Sequence, residues 1–288
     1  MASTSLFIGL VSYVKSSFAE SQGSGGLTAG LVAAFAEQGI ACQSWINTGN
    51  LFDEDSYELT SRMSRLSVRE EIRLESEWFS FLQSSDRLGH GVRMLGRYAS
   101  FLFHWRRNSE SKELRRLLNI EYSHVDLYRR AVASGAEWAI ILEDDAFSPD
   151  ITDLVTGLLG LSGHESDAKM INLSASFSLD QIGIRHLLSP NNRQGWQGSV
   201  ARSAWGSARP ATNTVCAIAF RTDFLKQILA DFDSQPTDPS EPIVPIDWKL
   251  NAALMRLWDA EAIGPNECLF VEPTPIIQLS MVRDREGK

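Results

Sequence analysis

The sequence predicts an α/β layered fold, and three observations carry that expectation. Along the 288 residues, short apolar runs of strand length alternate with longer segments of helical spacing. The first run is followed by a Gly/Ser stretch, an amphipathic segment and a second apolar run, the order of a β-loop-α-β unit. The run Trp138-Ala139-Ile140-Ile141-Leu142 is apolar without alternation, as a central strand covered on both faces must be.

Taken in order, Leu6 to Val11 reads as strand one and leads into Tyr13 to Ser17 and the glycine-rich stretch Ser21 to Gly26. Leu27 to Gln38 has helical spacing, with Leu27, Leu31, Val32 and Phe35 on one face and Gly39 as its stop. Cys42 to Ile46 follows as a strand, parallel to the first because a crossover joins them. Residues 53–120 are rich in charge and poor in strand signal, and read as a helical insertion beside the sheet. Within it, Glu58 to Phe81 forms one or two amphipathic helices.

Tyr122 to Val132 is helical and ends at Gly135. The apolar strand from Trp138 comes next. Ser148-Pro149-Asp150 then opens a helix, with Ser148 as the cap and Pro149 in the first turn. Met170 to Leu173 and Val215 to Phe220 read as strands, Thr222 to Phe232 as a capped helix, Ile246 to Trp258 as a helix and Cys268 to Val271 as a late strand. One domain spanning the chain accounts for this order, since no linker signal divides it.

Composition narrows the function classes. A formal charge of −9 argues against general nucleic-acid binding, which calls for a basic surface. Cys42, Cys216 and Cys268 are odd in number and share no metal-ligand spacing, so reduced thiols in a cytoplasmic protein are expected. Cys216, inside an apolar run, reads as a buried and inert thiol. No signal peptide is evident, and no run approaches the roughly 18 apolar residues that span a bilayer.

The chemistry concentrates in Glu143-Asp144-Asp145, directly after the apolar strand. Three carboxylates at a buried strand's end repel one another and lose hydration. A divalent cation relieves both costs, and Mn²⁺ or Mg²⁺ binds through one or two carboxylates together with substrate phosphates. Open α/β sheets gather ligands at the carboxyl ends of their strands. The plainer alternative is a set of solvated acids capping the next helix.

The segment Tyr122-Ser123-His124, followed by Ala136-Glu137-Trp138-Ala139-Ile140-Ile141-Leu142-Glu143-Asp144-Asp145, resembles glycosyltransferase family 25, which includes lipopolysaccharide and collagen galactosyltransferases. The later order is similar too: an apolar strand (Val215 to Phe220), a helix, Pro245-Ile246-Asp247 heading another helix, and Pro275-Ile276-Ile277-Gln278 as a closing strand. The resemblance covers roughly residues 119–280. It implies a GT-A-like, nucleotide-sugar-binding Rossmann-type sheet flanked by helices. It also implies a nucleotide-sugar donor, usually a UDP-sugar, with Mn²⁺ (or Mg²⁺) on the acidic motif.

On that basis Asp145 is the preferred metal ligand. Glu143 and Asp144 would share the metal or contact the donor, joined as donor-binding candidates by Ser12 and Lys15. The acceptor would be a glycan, a lipid-linked sugar or another hydroxyl compound.

Asp247 is the candidate catalytic base, because direct displacement at a sugar carbon needs a group to take the acceptor's hydroxyl proton. A helix start works against it by favouring the ionised form. Trp248 offers a ring for a sugar to stack on. Asn172 and Ser174, after the strand at Met170, are further acceptor-binding candidates. Trp196, Trp205 and Arg209 fall in a Gly/Ser/Arg-rich stretch with the composition of a mobile loop over a site. His124 reads as either structural or catalytic. Arg106, Arg107, Arg115, Arg116, Arg129 and Arg130 suit a solvated helix face or an anionic acceptor. Two other functions share the same acids: metal-dependent nucleotidyl or phosphoryl transfer, and a non-catalytic GT-A-like binding protein.

Overall fold

A computed structural model describes residues 5–12, 26–48, 61–83, 110–162, 166–176, 178–180, 182–190, 202–235 and 242–280, together with Val92, Leu95, Gly96, Ala99 and Trp196. The β-loop-α-β unit forms as the pattern requires. Strand β1 (Ser5–Ser12) and strand β2 (Ala41–Thr48) pair in parallel through helix α1 (Gly26–Glu37). Gly39 ends α1 in the left-handed region at φ 74°, and Gly135 does the same for a later helix at φ 71°. A side chain at either position would be strained, which is why glycine stops both helices.

Helix α2 (Ser61–Phe81) is a single amphipathic helix. Helix α3 runs unbroken from Glu110 to Ser134, so it crosses the boundary near residue 120 that the charge pattern suggested. Its apolar stripe, including Leu118, Leu127, Tyr128 and Ala131, is continuous, and nothing in it interrupts a helix. Strand β3 (Trp138–Glu143), the short strand β4 (Ala146–Phe147) and helix α4 (Ile151–Leu161) follow. The cap of α4 lies two residues later than Ser148: Asp150 accepts from the Asp153 amide at 2.8 Å, while the Ser148 hydroxyl donates to the Asp150 carbonyl.

The remaining elements are β5 (Met170–Asn172), a short 3-10 turn (Arg185–Leu187), β6 (Leu188–Pro190), β7 (Ser203–Ser207), β8 (Ala217–Arg221), α5 (Thr222–Ser234), α6 (Ile246–Asp259), β9 (Cys268–Glu272) and β10 (Ile277–Gln278). Thr222 opens α5 without capping it; its hydroxyl donates to the Ala136 carbonyl instead.

Eight strands form one mixed sheet in the order β2-β1-β3-β8-β5-β9-β7-β6. β1, β2 and β3 are parallel, β8 is antiparallel to both of its neighbours, and β5 and β9 are again parallel to each other. The molecule is therefore an α/β protein with a Rossmann-like sheet flanked by helices. β4 and β10 make a separate antiparallel ribbon beside it.

Side-chain alternation divides the core between the two faces of the sheet. Leu6, Ile8, Leu10, Ile140 and Leu142 pack with Leu31, Phe35, Leu154 and Leu158 of α1 and α4. Phe7, Val11, Ala139 and Ile141 pack on the opposite face with Leu127 and Tyr128 of α3, Phe224 of α5 and Leu250 of α6. α2 joins this second layer through Trp78 and Phe79, with Leu82 just after its end.

The described residues of the stretch with a mobile loop's composition are packed into the fold. Ser203–Ser207 is a strand of the main sheet. Trp196 is buried against Gly157, where even a methyl group would stand 2.1 Å from the indole. Its ring nitrogen donates to Asp153, which Arg202 also pairs with at 2.8 Å. Arg209 donates to the Phe81 carbonyl, tying this segment to α2. Among the described residues, no helix is long and apolar enough to cross a membrane.

Candidate functional site

The acids at the end of β3 lie where the sheet changes direction. From β1 the chain crosses to β2 on one side, while β3 adds on the other, and Val11 stands in register with Glu143. Such switch points form ligand crevices at the carboxyl edge of α/β sheets. Ser12, buried at the end of β1 and opposite Thr48, belongs to the same edge. Lys15 and residues 21–25 of the glycine stretch lie outside the described residues.

Alternation decides where Glu143 points. It shares a face with Ala139 and Ile141, the face covered by α3 and α6. There it meets His124 of α3, whose Nε2 is 3.4 Å from Glu143 Oε1. The imidazole is fully buried, stacks edge-on against Tyr128 at 5.8 Å, and its Nδ1 has no hydrogen-bond partner among the described residues. Burial and the charge of Glu143 push the Tyr128 hydroxyl well above its ordinary pKa.

Asp247, in the first turn of α6, reaches the same locality from the other side. It accepts the Trp248 amide at 3.0 Å. That bond and the helix start favour ionisation. Burial opposes them more strongly, and the charges of Glu143 and Glu71 add to it. The carboxyl is pushed up to about 6.

Asp145 is 7% exposed and is held by three groups. The Ser280 hydroxyl donates to Oδ2, the Cys216 thiol approaches Oδ1 at 3.7 Å, and the Leu279 amide donates to the Asp145 carbonyl at 3.0 Å. Cys216 is present because β8 is antiparallel: its start, not its end, lies at the carboxyl edge of β3. The Glu143 amide donates to the Cys216 carbonyl at 2.8 Å. Burial first, then the charges of Asp145 and Glu143, hold the thiol far above its usual range. Single ligand atoms of Glu143, Asp145 and Cys216 all lie within 4.8 Å of one another. The acidic motif alone did not reveal Cys216, since a parallel strand would have put Phe220 and Arg221 at this edge.

The acceptor-side candidates separate. Ser174 is buried beside the Cys216 thiol, so it belongs to the cluster. Asn172 is 2% exposed and donates to the Ala211 and Leu269 carbonyls at 3.1 and 3.2 Å, a cross-tie between β5, β9 and the segment before β8. Trp248 packs edge-on against Trp78 at 5.6 Å and joins the core beneath α2, which occupies the ring proposed for a sugar. Arg129 pairs with Asp233, and Arg130 pairs with Asp126 while covering the Trp45 ring at 3.9 Å. Arg106 and Arg107 lie outside the described residues.

A cleft of about 740 Å³ opens between α2, α3, α5 and α6. It meets α3 at Glu121, Tyr122, Val125 and Asp126, and is lined by neither His124 nor Tyr128; the Lys249–Glu121 ion pair lies along it.

No protein-family model and no curated protein matches the chain.

Proposed function

We propose that the chain is a metal-dependent transferase acting on a diphosphate-bearing donor. Within that class the reading best supported is a glycosyltransferase: transfer of a sugar from a nucleotide-sugar donor, a UDP-sugar, to a hydroxyl acceptor. The observation that carries it is charge without compensation. Glu143, Asp145 and Asp247 converge at the switch point, and among the described residues no lysine or arginine forms an ion pair with any of them. Asp145 is buried and Glu143 and Asp247 are partly buried, and carboxylates of one sign withdrawn from water are costly unless a cation accompanies them. The residues present fit a divalent cation such as Mn²⁺: Glu143 and Asp145 would hold it, with Asp144 adjacent in the turn. When bound, such an ion would offset charge on a leaving diphosphate as a Lewis acid. The resemblance of residues 119–280 to glycosyltransferase family 25 supports a sugar nucleotide as the donor.

The chain's own residues supply the rest. His124 fixes the Glu143 carboxylate against α3. Asp247, with a carboxyl pushed up to about 6, is ionised at neutral pH yet more basic than a solvated aspartate. In an inverting displacement the acceptor oxygen bonds to the anomeric carbon, the bond from that carbon to the diphosphate oxygen breaks, and the hydroxyl proton passes to Asp247. Free thiols at Cys42, Cys216 and Cys268 suit a reducing compartment such as the cytoplasm.

The test combines thermal shift with product analysis across nucleotide sugars, with and without Mn²⁺. A donor that binds the folded protein raises the melting temperature. We expect a Mn²⁺-dependent shift and Mn²⁺-dependent release of UDP. In Asp145→Asn both should vanish while the fold persists by circular dichroism. Release of pyrophosphate would move the assignment to nucleotidyl transfer. Neither binding nor turnover with any donor would make the chain a non-catalytic relative of the fold.

A further inference from the structure

We infer that Cys216 is a third ligand of the ion held by Glu143 and Asp145, which makes the site selective for a thiophilic divalent cation such as Zn²⁺ or Co²⁺ over Mg²⁺. The inference rests on the metal reading of this site and not on the sugar chemistry.

The geometry is that of a ligand set. Cys216 Sγ lies 3.7 Å from Asp145 Oδ1, and the three ligand atoms fall within 4.8 Å of one another. A tetrahedral ion with a sulfur ligand near 2.3 Å and an oxygen ligand near 2.1 Å separates those two atoms by about 3.6 Å. The frame is fixed, because Glu143 and Cys216 are joined by a backbone bond between β3 and β8.

One buried side chain points to an occupant independently of the acids. Ser174 is 2% exposed, and its hydroxyl meets no oxygen or nitrogen partner among the described residues; it turns toward the Cys216 sulfur. His124 is fully buried and faces Glu143 at 3.4 Å, the kind of outer-shell support that orients a ligating carboxylate. Sulfur decides the choice of metal: thiolates favour zinc and its neighbours, whereas Mg²⁺ takes oxygen ligands. Binding breaks the Cys216 S–H bond and forms a sulfur–metal bond. The proton leaves to solvent and no electron is transferred.

The test uses the full chain, stripped of metal and titrated with Co²⁺. Thiolate ligation gives an intense near-ultraviolet charge-transfer band. We expect that band in the wild type, in Cys42→Ser and in Cys268→Ser, and its loss in Cys216→Ser. One equivalent of Zn²⁺ should abolish it, and a hundredfold excess of Mg²⁺ should leave it in place. X-ray absorption of the Zn²⁺-loaded wild type, which needs no variant, should show one sulfur neighbour at about 2.3 Å. Co²⁺ binding without the band, or a zinc shell of oxygen and nitrogen alone, overturns the inference and leaves an all-oxygen site standing. Failure to bind any divalent ion overturns both. A cobalt–sulfur band in a protein that binds no nucleotide sugar sustains this inference and removes the sugar reading.

Discussion

Asp247 shows how competing effects at one residue are ranked. A carboxylate in the first turn of a helix, accepting a backbone amide, would ordinarily titrate low. Here burial wins, reinforced by Glu143 and Glu71, and the carboxyl is pushed up to about 6. Because the folded value is the raised one, its favourable contribution to stability is complete at pH values below the unfolded aspartate's, and is lost as pH climbs from about 4 through about 6. The metal-free Asp247→Asn protein should therefore be more stable than wild type at pH 7, by on the order of 2 kcal/mol, with the gap closing at pH 4. Urea denaturation at the two pH values checks this, and an equal gap at both would place the carboxyl in water. The sequence located Asp247 at its helix start but not its low-dielectric setting, because Glu143 is 104 positions away and only the fold brings them together.

At the scale of elements, β3 was the most legible feature. Five successive apolar residues soon after a glycine stop have the length of a buried strand and not of a helix, and the acids that follow mark its end at the sheet edge. The glycine stops of α1 and α3 were equally readable, since φ near 70° selects glycine. Direction was not readable: nothing in Val215 to Phe220 states that β8 runs opposite to β3, and that reversal puts Cys216 rather than Arg221 in the site. β7 was missed because its five residues include Gly206 and two serines, weak strand formers that pairing with β9 nevertheless holds. Local propensity was also silent on the tie beneath β7, where Arg202 and Asp153 have side chains 6% and 0% exposed. Arg202→Met should cost about 3 kcal/mol by removing the guanidinium that pairs with the buried Asp153 carboxylate. A second change, Asp153→Leu, should recover part of that loss. Additive losses in the double-mutant cycle would show the pair to be uncoupled.

Across the whole molecule, two helical layers enclose the sheet, and the site lies at their common edge. Its parts come from α3, β3, the turn before β4, the segment after β5, the start of β8, the start of α6 and the segment after β10. The last of these is Ser280, 135 residues from Asp145 and bonded to its carboxylate. Ser280→Ala should weaken metal affinity by roughly tenfold or more while hardly moving the melting temperature of the metal-free protein, the pattern of a group that orients a ligand. Calorimetric titration of Mn²⁺ or Zn²⁺ checks it, and an unchanged affinity would reduce Ser280 to a surface contact.

The β4–β10 ribbon gives this arrangement a temporal meaning. Asp145 leads into β4, and β10 must be seated on β4 before Leu279 and Ser280 reach that aspartate. During synthesis the acids emerge long before their last partner does. An ion captured by the finished pocket would therefore act as a late lock, favouring only chains that have already brought their final strand home. At a hundred times its dissociation constant it would add about 2.7 kcal/mol to their stability.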